Sequence, residues 1–172
     1  MAPSVLRVAE ADIRQAVEAL DAAHSDDRYS GLMDRVDYAD PARTLPLSPI
    51  VGAYSPVRPE VQLWVEGTRV RGRARLERKH TGPPEYAHGG VVALIADQLM
   101  TIVPWTMRLS AIMKSMTLRL RRPVPLYQDI DLEAWGEQTE RGVSARGTVS
   151  AGEILCVEVE AEMVLFSGRF RR

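Results

Sequence analysis

Hydrophobic residues in the first part of the chain recur at the spacing of a helix. The apolar positions between residues 6 and 20 lie three or four residues apart: Leu6, Ala9, Ile13, Ala16, Val17 and Leu20. This spacing predicts an amphipathic helix, which a polar run at residues 24–27 ends. Five prolines follow between Tyr38 and Pro59, so we expect a loop without helix there. Residues 1–60 are therefore expected to form an N-terminal helix and a Pro-rich extension that pack on a core domain of residues 61–172.

The period changes to two after residue 60, which is typical of β-strands. Residues 61–65 and 69–75 alternate around a Gly67-Thr68 turn and predict a hairpin. The later part of the chain predicts four more strands: Lys114–Arg121, Asp129–Gln138, Val143–Val149 and Ile154–Phe166. In the last strand, Leu155 and Val157 should face the core, and Cys156 should share the polar face with Glu158. We expect the arginine stripe of residues 69–75 to meet the glutamate stripe of residues 158–162 across the sheet.

One long segment breaks this alternation. Residues from about His88 to Met107 are apolar nearly all round, which predicts a buried helix. The order of elements is then hairpin, buried helix and antiparallel strands. We interpret this order as an α+β fold in which a curled antiparallel sheet wraps the helix.

Composition narrows the class of protein. The chain has 172 residues, with 22 Lys and Arg against 23 Asp and Glu, so its charge gives no reason to expect a nucleic-acid partner. We find no basic leader followed by an apolar segment and expect no membrane insertion, which favours a cytoplasmic protein. Cys156 is the only cysteine and the three histidines lack metal-ligand spacing, so we expect no internal disulfide, no metal and no cofactor.

Asp97 is the only ionisable residue between His88 and Arg108. A carboxylate on an apolar helix needs a partner or has a perturbed pKa, and such groups concentrate at functional sites. The alternative is a structural carboxylate that bonds a neighbouring hydroxyl or faces a subunit interface. Both interpretations stay open on the helix context alone.

The sequence His88-Gly89-Gly90 opens the same helix. The free N–H groups of a first helical turn, together with the helix dipole, suit a carbonyl oxygen that gains negative charge. The structural alternative is a tight Gly-Gly turn with His88 as a capping side chain. If Gly89 polarises an acyl carbonyl and Asp97 activates water, eight residues at about 1.5 Å each place them roughly 12 Å apart along one helix. That separation predicts a homodimer in which Gly89 of one subunit meets Asp97 of the other.

Two stretches of the sequence resemble a known family. Residues 82–97 (GPPEYAHGGVVALIAD) and 117–126 (TLRLRRPVPL) are similar to the PaaI-like, thioesterase-superfamily branch of hotdog-fold acyl-CoA thioesterases. The resemblance covers roughly residues 45–167. It implies a helix inside a curled sheet, a dimer with two composite active sites, Asp97 as general base or nucleophile, and Gly89 N–H as the donor to the thioester carbonyl. A dimer of dimers is left open.

The sequence also departs from the family pattern. Several relatives have Asn six residues before the His, where this chain has Gly82, and some have Ser or Thr where it has Met113. Ser115 or Thr117 could replace the missing hydroxyl if the strand register allows. The Gly usual in the turn after the RPVP piece is Tyr127 here.

Rival functions fit the residues less well. A hotdog hydratase would need a His where the chain has Ile102, and Cys156 among glutamates would be a poor nucleophile because their charge would raise its pKa. The sequence therefore predicts an acyl-CoA thioesterase that hydrolyses a fatty or aryl acyl-CoA, and the alternative is an acyl-CoA-binding sensor or scaffold without turnover. Asp97, Gly89 and His88 are the catalytic candidates. The substrate-binding candidates are Gly90, Gln98, Met113, Ser115, Thr117, Arg121 and Arg122, with Lys114 as a further cation for CoA phosphates.

Overall fold

The computed structural model describes residues 3–22, 40–52, 55 and 58–166. Helix α1 spans Pro3–Ala22, which confirms the predicted N-terminal helix, and its Arg14 pairs with Glu10 one turn earlier at 3.1 Å. The polar run at residues 24–27 lies outside the described residues. Contacts divide the chain into residues 1–34 and residues 35–172, so the packing of the N-terminal part on a core stays a prediction.

The described part of the Pro-rich stretch contains a short helix, so the prediction of no helix there was wrong. Helix α2 spans Pro41–Thr44. Asp40 caps it by accepting hydrogen bonds from the N–H groups of Ala42 and Arg43 at 3.0 and 3.3 Å. Pro41 is the first residue of the helix, where its missing N–H costs no hydrogen bond. Proline therefore begins this helix instead of preventing it.

Six strands form one antiparallel sheet with the order β1-β2-β4-β5-β6-β3. Their bounds are Glu60–Glu66 (β1), Arg69–Arg75 (β2), Ala111–Leu120 (β3), Asp129–Thr139 (β4), Gly142–Ala151 (β5) and Ile154–Leu165 (β6). The hairpin and the four later strands are thus confirmed. Strands β1 and β3 lie at the two edges of the sheet.

Helix α3 spans Gly89–Ile102 and packs on strands β3, β4 and β5. It confirms the predicted buried helix, although the last five predicted residues, Val103–Met107, form a 3₁₀ turn. Pro104 has no N–H to continue the α-helical pattern, which accounts for the change. Residues 89–107 are the one part of the described chain long and apolar enough to cross a membrane, and half of that segment is buried inside the fold. The long central helix against a curled sheet is the predicted α+β hotdog architecture.

The arginine stripe does not meet the glutamate stripe, so that prediction was wrong. Strand β2 pairs with β4, and Arg69 and Arg75 form ion pairs with Glu133 and Asp129 at 2.8 and 2.9 Å. The glutamates of β6 pair instead with arginines of β3, at the opposite end of the sheet. Arginines do pair with acidic residues on neighbouring strands, as predicted, but the strand order separates the arginine stripe of β2 from the glutamate stripe of β6.

Cys156 does not share a face with the glutamates, because a bulge interrupts β6. Val149 pairs with Val157 and Ser150 pairs with Leu155, which leaves Cys156 as an extra residue. Cys156 is 1% exposed and Leu155 is 38% exposed, the reverse of the predicted alternation. Burial raises the pKa of the Cys156 thiol, so the cause is desolvation and not the glutamate charges.

Tyr127 occupies a left-handed backbone position, with φ of 60°. This conformation costs a residue with a side chain roughly 1–2 kcal/mol, which explains why glycine suits the turn. We expect Tyr127→Gly to raise the free energy of unfolding by about 0.5–1 kcal/mol, after the greater freedom of glycine in the unfolded chain is subtracted. Chemical denaturation of the variant and the wild type measures this difference in the free energy of unfolding. The control is Gln128→Gly in the same turn, where φ is not positive, and a gain there as large as at Tyr127 would contradict the explanation.

Candidate active site

His88 caps the N-terminus of helix α3. Its backbone is extended, with φ of −65° and ψ of 132°, and its Nδ1 accepts a hydrogen bond from the Gly90 N–H at 3.0 Å. An Nδ1 that accepts a hydrogen bond places the proton of the neutral ring on Nε2. The structural alternative for His88, a capping side chain, is thus what the structure shows.

The first turn of α3 leaves one N–H group without an acceptor. The Gly90 N–H is bonded by His88 Nδ1, and the N–H groups of Val91 and Val92 donate to the His88 carbonyl at 2.9 and 3.2 Å. Within the described part of the chain, the Gly89 N–H has no such partner. It remains free to donate at the positive end of the helix dipole.

Gly89 opens onto a cleft of about 310 Å³. The lining is mostly apolar and includes two arginines: Pro83, Tyr86, Ala87, Gly89, Val92, Leu120, Arg121, Arg122, Pro123 and Val124. Three of the residues singled out in the sequence, Gly89, Arg121 and Arg122, therefore meet in one cavity. Leu120 was missed, because only the fold brings the end of β3 to within 4.0 Å of where a Cβ on Gly89 would lie.

Asp97 lies outside this cleft, on the less buried side of α3. Its neighbours on that side include Gly90, Leu94 and Thr101, and Leu94 is 47% exposed. Burial raises the pKa of the Asp97 carboxyl above its ordinary value. Over residues 3–22, 40–52, 55 and 58–166, we find no hydrogen bond or ion pair to this carboxylate, and the Thr101 hydroxyl donates to the Gln98 carbonyl at 2.9 Å. Among the described residues, no neighbouring hydroxyl therefore bonds Asp97 as that structural alternative would require.

Gln98 is engaged in packing within the chain. It is 8% exposed, accepts a 2.5 Å hydrogen bond from the Ser48 hydroxyl and donates to Thr101 at 3.3 Å. Ser48 in turn accepts hydrogen bonds from the N–H groups of Ile50 and Val51. Ser48, another residue that the sequence analysis missed, thus ties the Pro-rich loop to α3, and a substrate contact for Gln98 stays a prediction.

Ser115 and Thr117 lie on the face of β3 opposite to Met113. A bulge falls between Met113 and Ser115, so Ser115 and Thr117 pair with the outward-facing Glu162 and Glu160. Without the bulge, all three positions would share one face. The register therefore does not bring either hydroxyl to the place of Met113, and Lys114 on the same stretch does not line the cleft.

Gly82 is closed in by the backbone of the helix cap. A Cβ at this position would lie 2.7 Å from the Cα of His88. An Asn side chain, which several relatives carry here, has no room without a shift of the backbone. The loop has therefore adapted to glycine, and the carbonyl or water contact of that Asn has no counterpart at residue 82.

Metal ligation finds no support in this region. Among the residues that the structure describes, no three His, Cys, Asp or Glu side chains group in a way that could hold a metal ion.

Comparison with known proteins identifies the fold. No family model matches the sequence, and no curated protein matches it. A solved thioesterase superfamily protein is similar to this chain with a TM-score of 0.76 and 23% identity, over 95% of this chain and 83% of the other. A hypothetical thioesterase with coenzyme A from Streptococcus pneumoniae has a TM-score of 0.59 and 12% identity, over 64% and 88%. The PaaI protein of E. coli has a TM-score of 0.58 and 11% identity, over 63% and 80%.

These likenesses confirm the predicted resemblance at the level of fold. The chain has the hotdog fold of thioesterase-superfamily proteins, including PaaI. The first of the three matches covers 95% of the chain, so it extends beyond the sheet and its central helix into the N-terminal part.

Proposed function

We propose that this protein is an acyl-CoA thioesterase that hydrolyses a fatty or aryl acyl-CoA to the free acid and CoA. One observation carries the proposal: the only N–H of the first turn of α3 without an acceptor, within the described chain, belongs to Gly89, and Gly89 lines an apolar cleft together with two arginines. An N–H at a helix start in an apolar cleft stabilises a developing oxyanion. A similar fold that holds coenzyme A in a streptococcal protein supports the choice of ligand.

The reaction needs a base and a proton path. The carboxylate of Asp97 takes a proton from water, and the water oxygen bonds to the thioester carbon while the carbonyl oxygen gains charge at the Gly89 N–H. Collapse of the tetrahedral intermediate breaks the C–S bond. The CoA thiolate then takes the proton from the Asp97 carboxyl. The raised pKa of Asp97 suits this role, because the group accepts a proton more readily than an ordinary carboxylate.

The site is completed by a second copy of the chain. Asp97 and Gly89 are eight residues apart on one helix, roughly 12 Å, which is too far for both to reach one carbon. In a homodimer with two antiparallel α3 helices, the partner subunit's Asp97 reaches the carbonyl held at Gly89. The half-buried Asp97 beside the exposed Leu94 supports contact on this side of α3. We also propose that the protein acts in the cytoplasm, as its sequence indicates.

A binding protein without turnover is the second candidate. Two departures from the family pattern favour it. Backbone fills the space at Gly82, so an Asn does not fit there, and Ser115 and Thr117 lie on the face of β3 opposite to Met113. Such a protein would hold acyl-CoA in the same cleft. The two candidates differ in whether thiol is released.

A thiol-release assay with acetyl-, hexanoyl-, decanoyl-, palmitoyl- and aryl-acetyl-CoA tests both candidates. We expect turnover, with longer chains preferred over acetyl, because the partly buried Met107, Met113 and Met116 can adapt to an acyl chain. Met100, the fourth methionine of residues 100–116, does not contribute, since it is fully buried against Gly147. Binding without thiol release would favour the sensor, and a maximum at acetyl or aryl-acetyl would show that the methionines only fill the core.

A further inference from the structure

The two arginines of the cleft are presented by an unusual strand end. The N–H groups of Arg121 and Arg122 both donate to the carbonyl of Cys156, at 2.8 and 3.1 Å. In a regular strand, successive N–H groups point in opposite directions and successive side chains lie on opposite faces. Since both N–H groups meet one carbonyl, the alternation ends here, and both residues line the same cleft.

The β6 bulge provides that carbonyl. Cys156 is the extra residue between the pairs Val149–Val157 and Ser150–Leu155, and its buried thiol donates to the Ile154 carbonyl at 3.6 Å. A bulge bends its strand and redirects the groups beside it. The backbone carbonyl of Cys156 thus holds the backbone of both arginines, while its thiol is buried.

The two arginines differ in charge compensation. Arg121 Nε lies 2.6 Å from Glu158 Oε2, so the charge of Arg121 is compensated by an ion pair within the chain. For Arg122, we find no ion pair or hydrogen bond to its guanidinium among the described residues. Arg122, whose guanidinium is uncompensated within the described residues, therefore lines the same cavity as Gly89.

We propose that Arg122 binds a phosphate of the substrate's pantetheine carrier, and that Glu158 limits the affinity for this phosphate by holding Arg121. This inference rests on the proposed function, because it takes a pantetheine thioester to be the ligand. A guanidinium presents a planar set of donors that matches phosphate oxygens, and a charge-assisted hydrogen bond is stronger than a neutral one. The phosphate belongs either to CoA or to the phosphopantetheine group of a carrier protein.

Equilibrium binding by calorimetry tests the proposal with the homodimer and three probes: CoA, 4′-phosphopantetheine and pantetheine. We expect Arg122→Gln to raise the Kd for CoA about tenfold, which is the loss of one charge-assisted contact, and to leave pantetheine binding unchanged. The Kd of the wild type for CoA should also rise with salt. The matched control is Arg119→Gln, since Arg119 lies on β3 shortly before Arg122, pairs with Glu160 at 3.0 Å and does not line the cleft.

Glu158→Gln tests the second half of the proposal. Without the Glu158 carboxylate, Arg121 loses its ion pair. The Kd for CoA should then fall about threefold to tenfold, because a second guanidinium becomes available to the phosphate. Glu160→Gln frees Arg119 in the same manner, but outside the cleft, and should leave the Kd unchanged. Equal effects of the two glutamate substitutions would overturn the role of Glu158.

The probes separate the two sources of phosphate. If Arg122→Gln weakens CoA and 4′-phosphopantetheine alike, Arg122 binds the phosphate next to pantetheine, which a carrier protein also has. If it weakens CoA alone, Arg122 binds a nucleotide phosphate. An equal loss for all three probes, or no loss for any, overturns the proposal. A wild type that binds CoA in this pattern but releases no thiol contradicts the proposed thioesterase and leaves the phosphate site standing.

Discussion

Replacing Asp97 by Asn will lower kcat by about 10²–10⁴, the usual worth of a general base, while acyl-CoA still binds. The amide keeps the shape of the side chain but accepts no proton from water. Asp97 pairs with no group in the described part of the chain, so the substitution breaks no ion pair. The measurements are thiol release under saturating substrate and the Kd for CoA.

The same substitution should not unfold the protein. Because burial raises the pKa of Asp97 in the folded state, the folded protein holds the proton more tightly than the unfolded chain. Stability then falls as the pH rises through the window between the two pKa values, and Asn removes that cost at neutral pH. We expect the Tm of Asp97→Asn at pH 7 to be no lower than that of the wild type. Asp131→Asn, at an exposed carboxylate on β4, is the control and should keep its kcat. Unchanged turnover in Asp97→Asn would exclude Asp97 as the base.

The pH profile gives an independent check on the base. As the proposed base, Asp97 must be deprotonated to act, so kcat should rise with pH through the raised pKa of its carboxyl. The acid limb of the profile should lie at higher pH than an ordinary aspartate would give. This limb should vanish from the residual activity of Asp97→Asn.

The fold could be predicted because its pattern is periodic. The twofold alternation of residues 61–75 and 129–166 gives strands, and the apolar stretch that begins at Gly89 gives a helix too hydrophobic for any place but the core. Two bulges could not be predicted from the same pattern. They fall at Lys114 and Cys156, where the alternation shifts by one residue because the paired strand, and not the local sequence, sets the register.

The candidate site was predictable only where one segment carries its chemistry. His88 caps the helix that contains Gly89 and Asp97, and a single carboxylate on an apolar helix can be recognised from the local sequence. Leu120 and the role proposed for Glu158 were missed because they depend on the pairing of β3 with β6, which brings distant residues together. The same limit explains the wrong partner for the arginine stripe, since residue types suggest charge pairs but strand order decides them.

Replacing Gly89 by Pro should lower kcat by about 10²–10³, the loss from one oxyanion donor. Gly89 is the first residue of α3, where proline fits, and the extended backbone of His88 suits the residue before a proline. A Cβ there would meet only Leu120, at 4.0 Å. The substitution therefore removes one N–H and little else. Gly89→Ala fills the same space, keeps the N–H and should keep most of the activity, so an equal loss in both variants would indicate steric damage in place of a lost donor.

Mixed dimers connect this variant to Asp97. A dimer that pairs an Asp97→Asn chain with a Gly89→Pro chain has one site with both defects and one with neither, if each site takes Gly89 from one subunit and Asp97 from the other. Two inactive proteins should then regain about one quarter of wild-type activity after equal mixing and subunit exchange, because about half of the dimers are mixed and each has one working site. Native mass spectrometry of the mixture measures the extent of exchange, because the two variant chains differ in mass. Complete exchange without rescue would mean that Gly89 and Asp97 do not act on the same thioester, and the composite site would have to be abandoned.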